Sequence, residues 1–202
     1  PVLPAEEILE RVRRLYDAGL SFQAWQLAQR LGPWRHWPDT SARVLAGRLA
    51  SQLCADRLGD ALLVRAWRAD RNAPEAVLYG AMALSSIRGS LAALDLLNAS
   101  GILDADTAQR WDATAYAARL YATFRDFETA DRLIARAFDA SGTAWIWAQQ
   151  AAIHEMADRY PEALEASRRA LQIDPRSRSA IYYTAHLLSL SERDTEAIAL
   201  LR

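Results

Sequence analysis

Lysine is absent from this sequence, and all 24 basic residues are arginine. Arginine and lysine serve a solvated surface about equally well, so the codon preference of a GC-rich genome accounts for the bias. The absence still has a consequence: a phosphate-cradling Gly-x-x-x-x-Gly-Lys loop cannot be written without lysine. Cysteine occurs once, at Cys54, which excludes an intrachain disulfide and a cysteine-built zinc site. A lone cysteine fits a reducing compartment, and a cytoplasmic location is expected. Glycine and proline are scarce, eight and seven in 202 residues. An all-β chain needing a turn every ten residues or so is hard to build from that few. No run of about 18 apolar residues exists, so no transmembrane helix is expected. No signal-peptide pattern opens the chain. It begins at Pro1 rather than methionine, and a native start removed ahead of it is expected.

What the chain does have is apolar surface, 51% of residues, with 24% charged and a formal net charge of −1. Such a chain collapses to a core, and its balanced charge gives no general pull toward nucleic acid or anionic lipid. Ile8, Val12, Leu15 and Tyr16 share one helical stripe, as do Leu45, Leu49 and Leu53, and then Leu78, Met82 and Leu84. Stops are read at Gly19, Gly32-Pro33, Gly59, Pro74, Gly89, Gly101, Gly142 and Asp174-Pro175. The expected fold is all-α, with many short helices.

A repeat lies beneath this pattern. Ala118, Ala130 and Ala137 are spaced by 12 and 7, and Ala151, Ala163 and Ala170 repeat that spacing 33 residues on. Ala185 and Ala197 begin it again, and Ala81, Ala93 and Ser100 show it upstream. Small residues so placed let antiparallel helices approach closely and let each pair nest on the next. A period near 34 with two helices per unit points to a solenoid.

On these residues the chain resembles the tetratricopeptide repeat family. The clearest copy, 144–177, carries Trp147, Ala151, Tyr160, Ala163, Ala170 and Pro175 at the family's signature positions. The copy at 111–143 carries Ala118, Tyr121, Phe127, Ala130 and Ala137, with Gly142 where the family has proline. The copy at 178–202 keeps Ala185, Leu188 and Ala197 and stops inside its second helix. Three more degenerate copies are placed at 74–106 (Ala81, Leu84, Gly89, Ala93), 43–73 (Ala50, Leu53, Leu62, Ala69) and 5–38 (Gly19, Phe22, Ala24, Ala28). The resemblance implies one right-handed α-solenoid of six antiparallel helix pairs, eleven or twelve helices in all.

Nothing in the sequence is organised as an enzyme site, and no cofactor or metal is expected. His154 is followed by Glu155, but Asp158 stands where a second zinc-binding histidine would fall. It is expected to pack, as is His36 in the aromatic loop Trp34-Arg35-His36-Trp37-Pro38. Cys54 is expected to be a small buried core residue. What is left is a surface for binding. In the resembled family the first helix of each pair lines a concave groove. Counting from each proposed helix start puts Arg48, Tyr79, Met82, Tyr116, Arg119, Trp145, Gln149, Tyr183 and His186 on that face. The arginines could form forked bonds to a carboxylate, and the aromatic rings could cover apolar side chains. The missing lysines exclude the lysine-and-asparagine carboxylate clamp of chaperone-tail-binding members.

The expected function is therefore protein–protein interaction, with an extended peptide or partner helix held in the concave groove. Two alternatives stay open. The chain could be the non-catalytic recruiting arm of a longer enzyme, peptidase- or transferase-type, whose other domain is the partner. It could also be a scaffold that self-associates through an open C-terminal end near Leu200 and Leu201. No nucleic-acid or membrane partner is expected.

Overall fold

A computed structural model describes residues 4–107 and 109–202 of the chain, with the backbone alone of Arg35. The Arg35 side chain of the anticipated aromatic loop, Pro1 and Ala108 thus lie outside the described residues. Among those described there are twelve α-helices and no strand. After Ile102 the chain divides into two compact units. The first holds α1 (Ala5–Asp17), α2 (Ser21–Ala28), α3 (Thr40–Gln52), α4 (Asp56–Ala69), α5 (Pro74–Arg88) and α6 (Ser90–Ser100). The second holds α7 (Gln109–Thr123), α8 (Phe127–Ala140), α9 (Ala144–Met156), α10 (Tyr160–Ile173), α11 (Arg178–Leu190) and α12 (Asp194–Leu200).

Local chemistry sets the helix starts. The side chains of Asp39, Asp126, Thr143 and Ser177 accept backbone amides in the first turns of α3, α8, α9 and α11. Each satisfies a donor that the helix itself cannot, typically worth about 1 kcal/mol. Pro74 and Pro161 occupy first turns, where a missing amide hydrogen costs nothing.

The turn inside each pair is nearly the same throughout. Gly19, Cys54, Arg125, Asp158 and Glu192 have left-handed φ values of 75°, 61°, 65°, 58° and 59°. After each, an amide reaches back five residues: Leu20 to Leu15, Ala55 to Ala50, Asp126 to Tyr121, Arg159 to His154, and Arg193 to Leu188, at 2.9–3.1 Å. This is a Schellman closure, which satisfies the last carbonyls of one helix while reversing the chain into the next. The third pair differs: Gly89, at φ 89° and ψ 167°, alone joins α5 to α6.

In five of the six pairs, two small residues 12 apart in sequence stand one on each helix. Ala81 and Ala93, Ala118 and Ala130, and Ala151 and Ala163 are all fully buried, and Ala185 and Ala197 nearly so. In the first pair Val12 and Ala24 take these places, both with no exposure. In the second pair they fall to Gly47 and Gly59. A Cβ at Gly59 would stand 3.0 Å from the Gly47 carbonyl oxygen and collide with Ser51 Oγ, and one at Gly47 would strike Leu63.

Two sequence expectations are corrected here. Gly59 is no stop: it lies inside α4, kept small by the α3 crossing. Cys54 is exposed rather than buried, because it occupies the left-handed turn position.

Each unit has its own cores. In the first, Ile8, Val12, Ala24, Leu45 and Leu49 gather around Trp37, which is 1% exposed, with Trp34 packed alongside. Arg43 secures that loop by donating to the carbonyls of Trp37 and Pro38. In the second, Ala118, Ala122, Ile134, Ile146 and Ile153 form one cluster, flanked by Trp111, Tyr121 and Phe127.

Candidate functional site

In the second unit α7, α9 and α11 are the first helices of successive pairs, and α9 packs against both others. Helical spacing puts Arg119 and Thr123 on one face of α7, Ala152 and Met156 on one face of α9, and Tyr183 and His186 on one face of α11. These six meet in a cleft of about 500 Å3. The cleft is open because the central helix offers only the Ala152 methyl at the position where its neighbours carry Arg119 and His186.

The charges in the cleft are arranged asymmetrically. His186 Nε2 lies 2.8 Å from Glu155 Oε1, and its ring stacks parallel to Tyr182 at 6.0 Å. Arg119 forms no ion pair among the described residues. Burial lifts the Tyr183 phenol above its usual pKa; Arg119 draws it down, and Glu155 and Tyr182 add to the rise. Thr123 and Met156 meet at the α7 side, and Arg125 donates to the Met156 carbonyl. The cleft thus combines an arginine with no ion pair among the described residues, aromatic walls and a carboxylate held by His186. Among the described residues no cluster of three or more potential metal ligands is present.

In the first unit Arg48 and Tyr79 do meet, but not around an open cleft. The Arg48 guanidinium lies over two rings, 4.8 Å from the centroid of Tyr16 and 4.5 Å from that of Tyr79. Its Nη1 is 3.4 Å from Glu75 Oε1. Glu75 Oε2 accepts from Ser41 Oγ, which accepts in turn from Arg13 Nη2. Burial works against the Arg48 charge, but Tyr79, Tyr16 and Glu75 outweigh it and hold the pKa above the usual arginine value. Arg48 is consequently committed to α1 and α5. Met82, one turn beyond Tyr79, is half-buried.

The other expected groove residues are packed in. Tyr116 and Gln149 are 5% and 1% exposed, so neither offers a free side chain to a ligand. Trp145 is half-buried against the core, and its indole N–H points to the Asp112 carbonyl at 3.5 Å. Counting from the helix start does not say how closely the neighbouring helix covers a residue. Glu155, Tyr160 and Tyr182 line the cleft and were not anticipated. A signal for Glu155 exists, since it lies one helical turn beyond Ala152 on the same face.

No protein-family model and no curated protein sequence matches the chain. Solved structures do. A thermophilic tetratricopeptide repeat protein of Thermus thermophilus aligns over 92% of this chain and 100% of its own, at 18% identity and a TM-score of 0.70. The pilF protein of Pseudomonas aeruginosa aligns over 97% of this chain and 88% of its own, at 11% identity and a TM-score of 0.60. A chain of the APC/C hetero-tetramer Cut9-Hcn1 aligns over 94% of this chain but 38% of its own, at 9% identity and a TM-score of 0.62. At such identities the likeness is one of architecture. The fold is that of the tetratricopeptide repeat: an all-α solenoid of consecutive helix pairs.

Proposed function

We propose that this chain is a non-catalytic protein-interaction module. Its helix pairs, at 5–38, 43–73, 74–106, 111–143, 144–177 and 178–202, serve as repeats that present their first helices to an extended peptide or partner helix. One observation carries the reading: Arg119, Tyr183 and His186, from α7 and α11, converge with α9 on one cleft. A scaffold of packed helices spends little conformational entropy when it binds, so modest contacts suffice. Arginine and tyrosine supply much of the energy of well-packed interfaces, about 2 kcal/mol or more at a true hot spot. The solved neighbour in the Cut9-Hcn1 hetero-tetramer shows the same architecture within a protein assembly.

The test is selection of peptides from a random display library against the purified protein, followed by hydrogen exchange of the complex. Slowed exchange in the facing turns of α7, α9 and α11 is expected. Recovery of no peptide above background, or protection confined to other helices, rejects this reading.

A further inference from the structure

The cleft of the second unit has a worked precedent inside the same chain. The small residues of the first helices at the crossings are Gly47, Ala81, Ala118, Ala151 and Ala185, and the residues that follow them are Arg48, Met82, Arg119, Ala152 and His186. Arg48 shows what an arginine takes at this position. It lies between two tyrosine rings and meets a carboxylate, Glu75, delivered by the next first helix. That carboxylate is oriented by Ser41. The first unit therefore contains a complete carboxylate site, filled by its own chain.

Arg119 stands at the same register with the carboxylate missing. The residue of α9 that corresponds to Glu75 is Trp145, and its indole turns to the Asp112 carbonyl. Arg119 faces the open cleft, with Tyr183 close enough that its charge acts on the phenol. One internal carboxylate, Glu155, also lines this cleft, yet His186 holds its Oε1 at 2.8 Å and Tyr182 stacks on the His186 ring. Glu155 is thereby kept out of ion-pair distance of Arg119.

We infer that the cleft takes a carboxylate side chain, aspartate or glutamate, of a partner peptide on Arg119 beside the Tyr183 ring, and that Glu155 is a like-charged competitor restrained by His186. This rests on the chain being a peptide-binding module. The two halves act with opposite sign. Arg119 supplies the forked, charge-assisted bonds that favour a carboxylate, whereas the Glu155 charge opposes any anion entering the same space.

The experiment uses the full chain and the peptides selected from the random library, resynthesised with a fluorescein label. Three features are varied: glutamate or glutamine at the enriched acidic position, a free or amidated C-terminus, and wild-type, Arg119→Ala, Arg119→Lys or Glu155→Gln protein. On wild type, glutamate→glutamine in the peptide is expected to cost about tenfold or more in affinity; on Arg119→Ala it costs almost nothing. Arg119→Lys keeps the charge but not the fork and falls between them. Glu155→Gln tightens the acidic peptide about threefold or more, and leaves the glutamine peptide unchanged. Melting curves confirm that the variants fold. The inference is overturned by selected peptides without acidic enrichment, by equal glutamate→glutamine costs on wild type and Arg119→Ala, or by a Glu155→Gln variant that binds no tighter. Loss on amidation alone identifies a chain end rather than a side chain, and overturns it too. Those results leave the module reading standing, whereas a library that yields no peptide removes both.

Discussion

Four side chains occupy a backbone conformation that suits glycine better. Cys54, Arg125, Asp158 and Glu192 hold the left-handed turn that Gly19 holds in the first pair. The left-handed region costs a side-chain-bearing residue about 1–2 kcal/mol. Glycine would avoid that strain, at the cost of a more disordered unfolded chain. Glu192 is exposed, and the net effect of Glu192→Gly is a stabilisation of about 0.5–1 kcal/mol, read as a higher urea midpoint. An unchanged or lower midpoint would show that the turn carries no strain. His154 gives a prediction in pH. Its Nδ1 is buried and has no hydrogen-bond partner among the described residues. Burial, and then the charge of Arg159, hold its pKa below the usual histidine value against the pull of Asp131 and Glu162. Between the folded and unfolded pKa values the unfolded state binds more protons. The stabilising contribution is therefore complete above the unfolded value, about 6.5, and is lost as pH falls below it. His154→Leu should flatten the fall in stability between about pH 7.5 and 5.5 relative to wild type. Parallel curves for the two proteins would remove His154 from the account.

At the scale of elements, the crossing of α3 and α4 reverses a usual rule. Glycine to alanine inside an exposed helix commonly stabilises by about 0.5–1 kcal/mol, through propensity. At Gly59 the added methyl meets Ser51 Oγ and the Gly47 carbonyl, so Gly59→Ala is expected to destabilise by about 1–3 kcal/mol. A stabilised Gly59→Ala would mean that α3 and α4 stand further apart. The same crossing shows why the later pairs were legible in sequence and the second was not. Alanine at both places, as in Ala118 with Ala130 or Ala151 with Ala163, announces a close helix contact without breaking the helix pattern. Glycine at both places also makes a close contact, yet Gly59 reads as a chain stop. The turn residues failed as markers for a complementary reason. A Schellman closure is fixed by backbone hydrogen bonds, and these tolerate Arg125 or Glu192 where sequence rules wait for glycine. Helical spacing, taken with the family resemblance, gives Arg48 and Arg119 matching places on their helices. Whether a residue at that place is free was not legible: Arg48 is taken up by Glu75, 27 residues away, while Arg119 keeps its cleft because the neighbour supplies alanine and tryptophan instead.

Across the whole molecule, local packing is uneven within the second unit, and stability should follow it. In solenoids each helix pair is held by its neighbours, so opening energies vary along the chain with the contacts each pair makes. Ala118, Ala130, Ala151 and Ala163 show no exposure, whereas Ala185 and Ala197 are each 6% exposed. Two positions in and beside the last pair are open where their counterparts in earlier pairs are buried. Tyr182 is 63% exposed where Ala115 and Ala148 are fully buried, and Leu201 is 64% exposed where Ile134 and Ser167 are buried. With only seven residues, α12 has few hydrogen bonds of its own to resist opening. Native-state hydrogen exchange should therefore find the slowest amides of this unit in α7 and α9, intermediate ones in α11, and the fastest helical amides in α12. Because Tyr183 and His186 lie on α11, a bound peptide should slow exchange there more than in α8 or α10, whose residues, apart from Tyr160, do not line the cleft. Amides of α12 exchanging as slowly as those of α9 would show that the pairs open together rather than one by one. In that case the cleft is a rigid feature of the unit, and the ligand gains nothing by ordering its α11 wall.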